Sequence, residues 1–385
     1  MNQKTIKIAY LASGLIGRKA SGTAQTARKI IEYIILNTNQ KFEVTLLLKS
    51  ENEKAAILED PMLSNCNLVV LPQVKGRILR SSRQYYKYCK LSKKLTYDIM
   101  YFSVPRVYPF YWHFPAKYFV CTFHAAGDIT VPTNNFVFSK FLYNLIMKLQ
   151  WKHLDFIFAD SDFAITEIHE NYKIPLSRIT KVYLGADNLW LKSSEKPLDF
   201  NLEQKTLLIV GRWQKYKNIH SIIEAIKQSD VPEVKNCNVI VLGKKVKSEM
   251  ELFIRSIENF PTERLQIIDY LSDSEMKFLF SSVNVVIHPS INEGFGIPAF
   301  EAFGEGAVLV VHNGTPAASY LKLFDSVLVE DLTNIRAVET VIVRALNLPR
   351  RDVTERRDYL IRMEMTWDYV GRNYVKYLRS LNFDN

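Results

Sequence analysis

Short β-branched or aromatic runs alternate with helical patterns almost from end to end, and that alternation is the strongest constraint on this chain. It is the signature of parallel sheets joined by crossover helices. The runs fall into two series. The first comprises 7–12, 44–49, 68–72, 98–103, 118–124, 156–161 and 179–185; the second comprises 206–212, 238–244, 265–271, 283–290, 307–313 and 325–330. Between them, 186–205 is polar, contains a proline and shows no clear period, as an interdomain linker does. At 385 residues the chain exceeds one ordinary core, and two doubly wound α/β domains are expected. In such folds ligands bind beyond the carboxyl ends of the strands, so the informative residues belong in strand-to-helix loops.

Composition narrows the partners. A formal net charge of +10 points to anionic ones, whether nucleic acid, phosphorylated metabolites or acidic lipid. The cysteines, at 66, 89, 121 and 237, form neither a CxxC nor a zinc-type cluster, which fits reduced thiols and a cytoplasmic chain. The apolar run from Ile8 to Ala12 is too short for a signal-peptide core, and no uninterrupted apolar segment approaches the ~20 residues that span a bilayer. The expectation is a protein neither exported nor membrane-spanning.

The densest chemistry lies in "HPSINEGFGIPAFEAFGEG", 288–306. A strand ends, a glycine-rich loop follows, and Pro298 opens a helix where its missing N–H matters little. Gly294, Phe295 and Gly296 offer backbone N–H groups at a helix N-terminus, and glycine lets a ligand approach closely. Glu293 and Glu301 flank that turn, and carboxylates accept well from vicinal diols. A second loop, "GRWQKYKN" at 211–218, places Arg212, Lys215 and Lys217 at another strand tip, where cations suit a diphosphate.

These two stretches resemble the retaining glycosyltransferases of family 4, whose two Rossmann-like domains face each other across a cleft in the GT-B fold. "GRWQKYKN" is similar to that family's diphosphate-binding stretch, and the two glutamates separated by seven residues to its signature. "DYLSDSEMKFLFSS" fits the lead-in, and "TWDYVGRNYVKYL" resembles the closing helix. The resemblance implies an acceptor-binding domain over 1–190, a linker over 191–204, a donor-binding domain over 205–364 and a last helix, 365–385, crossing back. It implies that Glu301 holds the ribose hydroxyls of a nucleoside diphosphate sugar, that Glu293 and Gly294 to Gly296 with Ile297 hold the transferred sugar, and that Arg212 and Lys217 hold the diphosphate. Tyr270 and Leu271 would contact the base. Asp269 stands where glycine is common, and Ala317 where glutamate is frequent.

In the first half the resemblance is thinner. Gly22 opens a helix after a glycine-containing loop, and "CTFHAAGD" is similar to a His-Asp pair that sets His124 beside the reacting sugar, although Ala125 replaces the expected acid and Asp128 follows later. "DSD" at 160–162 reads as a helix N-cap rather than a metal-binding pair, with Ser161 matching a serine common in the family. His288 and His312 sit on apolar strands and read as packed.

The implied activity is metal-independent, anomer-retaining transfer of a hexose or deoxyhexose from a donor such as GDP-mannose or a UDP-sugar to a hydroxyl of a glycan or polyprenyl-linked glycolipid, in bacterial surface polysaccharide synthesis. No cofactor beyond the nucleotide-sugar co-substrate is implied. The alternatives are a nucleotide-sugar 2-epimerase of the same architecture and a nonenzymatic basic nucleic-acid binder, the latter disfavoured by the acid pair. Finally, 73–97 contains eight Lys/Arg and no acid. Arg80, Arg83, Lys87, Lys90 and Lys94 recur at three- and four-residue spacing, one stripe on a helix, which points to an anionic surface such as the inner face of the plasma membrane. Tyr85, Tyr88, Leu91 and Leu95 would lie on neighbouring faces.

Overall fold

The computed structural model describes residues 5–11, 15, 22–36, 42–75, 80–92, 96–103, 111–124, 151–196, 202 and 204–381. Lys94, Leu95, Ala125 and Asp128 lie outside them, and of Arg80 only the main chain is described. The chain divides into two compact units, one built from Met1–Tyr183 with Asp368–Asn385, the other from Leu184–Trp367.

The first unit holds a seven-stranded sheet in the order β3-β2-β1-β4-β5-β6-β7. Its strands are β1 (Ile6–Leu11), β2 (Phe42–Leu48), β3 (Asn67–Val70), β4 (Tyr97–Phe102), β5 (Ala116–Phe123), β6 (Phe156–Ala159) and β7 (Ile179–Lys181). Every pairing is parallel. Strand order reverses between β1 and β4, where Tyr10 faces Tyr101 across the ladder. The helix Trp367–Ser380 completes this unit. A Cβ on Gly371 would fall 2.1 Å from the ring of Tyr33, so only glycine lets that helix lie against the helix Gly22–Leu36.

The second unit holds a six-stranded parallel sheet in the order β10-β9-β8-β11-β12-β13. These strands are β8 (Thr206–Val210), β9 (Asn238–Leu242), β10 (Leu265–Ile268), β11 (Val285–His288), β12 (Val308–His312) and β13 (Val327–Glu330). β8 and β11 are buried along their whole length, as parallel strands covered on both faces must be. Order reverses between β8 and β11, whose register sets Ile209 opposite Ile287. The residues just past these two strands are therefore brought side by side.

Candidate active site

At the tip of β8 the backbone is forced into place by glycine. A Cβ on Gly243, just after β9, would sit 1.7 Å from the carbonyl oxygen of Gly211, so the two loops touch main chain to main chain. Trp213 is buried and its N–H donates to the Lys244 carbonyl at 3.1 Å. Arg212, held between these anchors, is left exposed at the strand tip. Lys215–Lys217 then form one turn of 3-10 helix, ended by Asn218, whose left-handed backbone (φ 57°) is fixed by its side chain donating to the Leu332 carbonyl at 2.7 Å.

The loop after β11 docks onto that turn, the Ile291 N–H donating to the Tyr216 carbonyl at 2.9 Å. Phe295 is buried and stacks on Phe300 with ring centroids 4.4 Å apart, pinning the loop to the helix Ile297–Gly304. Gly296 caps that helix at φ 89°, a conformation that favours glycine. A side chain there would also press on Glu293 Cγ at 3.3 Å and His288 Cε1 at 3.4 Å.

The two loops meet in an ion pair: Lys217 Nζ donates to Glu293 Oε2. Burial, the largest single influence, would raise the Glu293 carboxyl, but the Lys217 ammonium together with its other neighbours, the Ser290 hydroxyl among them, holds the group below its ordinary value. His288, read from the sequence as a packed strand residue, is indeed buried, yet its Nε2 lies 3.9 Å from the same Glu293 oxygen. Burial pushes this imidazole down to about 4, so it is neutral at physiological pH.

Glu301 sits one turn into the helix and is buried, with Asn188 Nδ2 donating to its Oε1 at 2.8 Å. Its carboxyl is pushed up to about 8, by burial first, with Asp273, Asp187 and Glu305 adding to the effect against the bond from Asn188. At pH 7 this group therefore favours its protonated form, not the charged acceptor that the sequence suggests. The far end of the helix is capped by guanidiniums, with Arg356 donating to the Phe303 and Ala307 carbonyls, Arg357 to that of Gly304 and Arg350 to that of Glu305. Cations at a helix C-terminus complement its dipole. Tyr270 and Leu271 lie in the loop after β10, Tyr270 exposed.

In the first unit His124 directly follows β5 with both ring nitrogens engaged. Nε2 donates to the Ser103 carbonyl at 3.1 Å, and Nδ1 lies 3.3 Å from Asp160 Oδ2. Ser161 caps its helix, accepting from the Ala164 N–H at 3.0 Å, while Asp162 pairs with Lys181. The two carboxylates of "DSD" thus serve different partners. Gly22 is exposed at the start of its helix. On the basic helix Arg80–Leu91, Arg83 donates to the Lys75 carbonyl and Lys87 to that of Gln73, while Lys90 lies 4.8 Å over the Tyr86 ring. Tyr85 is fully buried, Tyr88 half-buried and Leu91 exposed. Among the described residues no helix is long and apolar enough to cross a membrane.

A pair of parallel doubly wound sheets with an acid–base loop pair at one switch point defines a class, and comparison with solved structures agrees. Sucrose-phosphate synthase from Thermosynechococcus elongatus matches with a TM-score of 0.76 at 15% identity, over 98% of this chain and 99% of that one. Anabaena HepE in complex with UDP and glucose matches with a TM-score of 0.71 at 15% identity, over 98% and 100%. The fold is GT-B. Residues 192–362 match the family model described as "Glycosyl transferases group 1". Among curated relatives, the serotype-specific mannosyltransferase WbdA of Escherichia coli is 27% identical over 212 residues, which is 52% of this chain and 26% of that protein. The match to the next spans 46% of its length, so these relatives are covered by half or less.

Proposed function

We propose that this chain is an anomer-retaining glycosyltransferase that moves a hexose from a nucleoside diphosphate sugar to a hydroxyl of a glycan or lipid-linked acceptor. The observation that carries the reading is the meeting of Lys217, Glu293 and the Gly294–Gly296 helix start beside Arg212 at one switch point. The second unit would bind the donor. Arg212 and Lys217 receive the diphosphate, the helix start and Glu293 the sugar, Glu301 the ribose, and Tyr270 and Leu271 the base. As the C–O bond to the diphosphate breaks, negative charge grows on the β-phosphate, and Arg212, Lys217 and the helix N-terminus stabilise it without a divalent ion. The acceptor hydroxyl adds to the same face of the oxocarbenium-like sugar, and a phosphate oxygen takes its proton. Mannosyltransferases among the relatives favour mannose as the sugar. Incubating the chain with a panel of nucleotide sugars and glycan acceptors tests this. Acceptor-dependent release of the nucleoside diphosphate, unaffected by EDTA, is expected; epimerised donor with no transfer would instead identify an epimerase.

The first unit would bind the acceptor, with His124 and Gly22 among the residues that serve it. Its basic helix would rest on an anionic leaflet through Lys90, with the remaining donors of Arg83 and Lys87 adding to the contact. Each basic residue near such a surface is worth roughly 1 kcal/mol. Sedimentation with anionic liposomes should fall with salt and with Glu at 80, 83, 87 and 90; equal pelleting of both forms would refute it.

A further inference from the structure

His288 is the buried group at the donor loops that the proposed reaction leaves unused. Its Nδ1 finds no hydrogen-bond partner, while Nε2 faces Glu293 Oε2 from 3.9 Å, just beyond hydrogen-bond distance. A neutral imidazole carries one N–H. Only the histidine's own main-chain carbonyl stands near Nδ1, outside good hydrogen-bond geometry, and a carboxylate is the stronger acceptor, so that proton is best placed on Nε2, aimed at Glu293. The histidine cannot retreat, because it ends the central strand β11 and Gly296 closes over its Cε1.

Lys217 cannot serve two anions equally. A diphosphate carries more charge than a carboxylate and draws an ammonium more strongly. Once a donor enters, Glu293 loses the cation that pairs with it and keeps only the Ser290 hydroxyl, and a largely buried carboxylate with so few donors is disfavoured. Building on the donor-site reading above, we propose that His288 is a positioning residue that takes Lys217's place as the hydrogen-bond partner of Glu293 when the site is loaded. A shift of under ~1 Å brings Nε2 to a normal hydrogen-bond length. The neutral state of the ring supports this, since a donated proton then crosses no charge gap, and Glu293 and Lys217 are the charged groups that face it. Glu293 would stay aimed at the sugar instead of swinging after the departing lysine.

The test uses the full chain with His288→Leu and His288→Asn, whose amide keeps a donor. Wild type is first titrated with UDP, GDP, ADP and dTDP; binding of none would overturn the donor-site reading and this proposal with it. Given binding, His288→Leu is expected to keep the nucleoside diphosphate Kd within about threefold while kcat falls about 10- to 100-fold, the range a misplaced reacting group produces. His288→Asn should recover most of that loss. A His288→Leu enzyme with wild-type kcat, or an Asn variant as slow as the Leu one, overturns the proposal alone. Should the Leu variant fail to fold, the imidazole nitrogen resonances of wild type decide. The His288 Nε2–H signal must move when the nucleoside diphosphate is added and must already be displaced in Lys217→Met; a signal unmoved in both sinks the idea.

Discussion

The two units follow one plan and bury opposite chemistry at its switch point. In the first, Tyr10 and Tyr101 meet across β1 and β4 with ring centroids 5.0 Å apart, and Thr122 Oγ1 bonds both Tyr101 and the Tyr374 hydroxyl. All three phenols are buried, which raises them far above their ordinary range and keeps them neutral. In the second, the corresponding crevice holds an ammonium, two carboxyls and a neutral imidazole. Parallel topology supplies the crevice in both; the residues just past each strand decide whether it becomes core or site.

The contrast is broken most severely by removing a charge from the second unit. Lys217→Met deprives the diphosphate of its cation, and kcat is expected to fall by about 10²- to 10³-fold, as when one transition-state donor is deleted. Steady-state kinetics with a saturating donor would check it. Glu301→Ala acts instead on binding, and above about pH 8, where the carboxylate is ionised, the lost hydrogen bonds should weaken donor affinity by about 1.5–3 kcal/mol, read by calorimetry. In the first unit the matching insult touches no charge. Thr122→Val leaves two phenols without their shared partner, and Tm should drop by the equivalent of about 1–3 kcal/mol with the second unit's nucleotide binding intact.

The last effect is a pH slope. Glu301 is raised in the folded chain to about 8 from an ordinary 4.5. Between those values the folded chain holds a proton that the unfolded chain has released. Stability therefore falls as pH rises from about 4.5 towards 8, and levels off above. Donor affinity should move the other way, because the ionised carboxylate is the better diol acceptor. Glu301→Gln should flatten both profiles; an unchanged slope would mean that the titrating group lies elsewhere.

All of the expected runs became strands, but most end earlier than the sequence suggests. "ITKVYLG" yields only Ile179–Lys181, and "TLLIVGR" stops at Val210. The reason is physical: the tips turn out of the ladder to make loops, Gly211 and Gly243 touching main chain to main chain, while their apolar composition still reads as strand. Lys217, Glu293 and Glu301 were legible because two compact motifs carry them. Asn188 was not, since it lies in a stretch read as linker and reaches Glu301 across 113 positions. His288 was hidden in plain view by its apolar strand, and Arg350, Arg356 and Arg357 by a polar helix start with no signature. Asp160, weighed from the sequence only as half of a metal-binding "DSD" pair, is the partner of His124.

The placement of the last helix sets an order of events during synthesis. Tyr374 lies under Thr122, and Gly371 against Tyr33, so the unit begun by the first strands is finished by residues 368–381. On a ribosome the usual sequence, amino-terminal domain first, is reversed: Leu184–Trp367 can close while the earlier sheet still lacks a wall. A nascent chain arrested before residue 368 would then present a protease-resistant second unit and a cleavable first one.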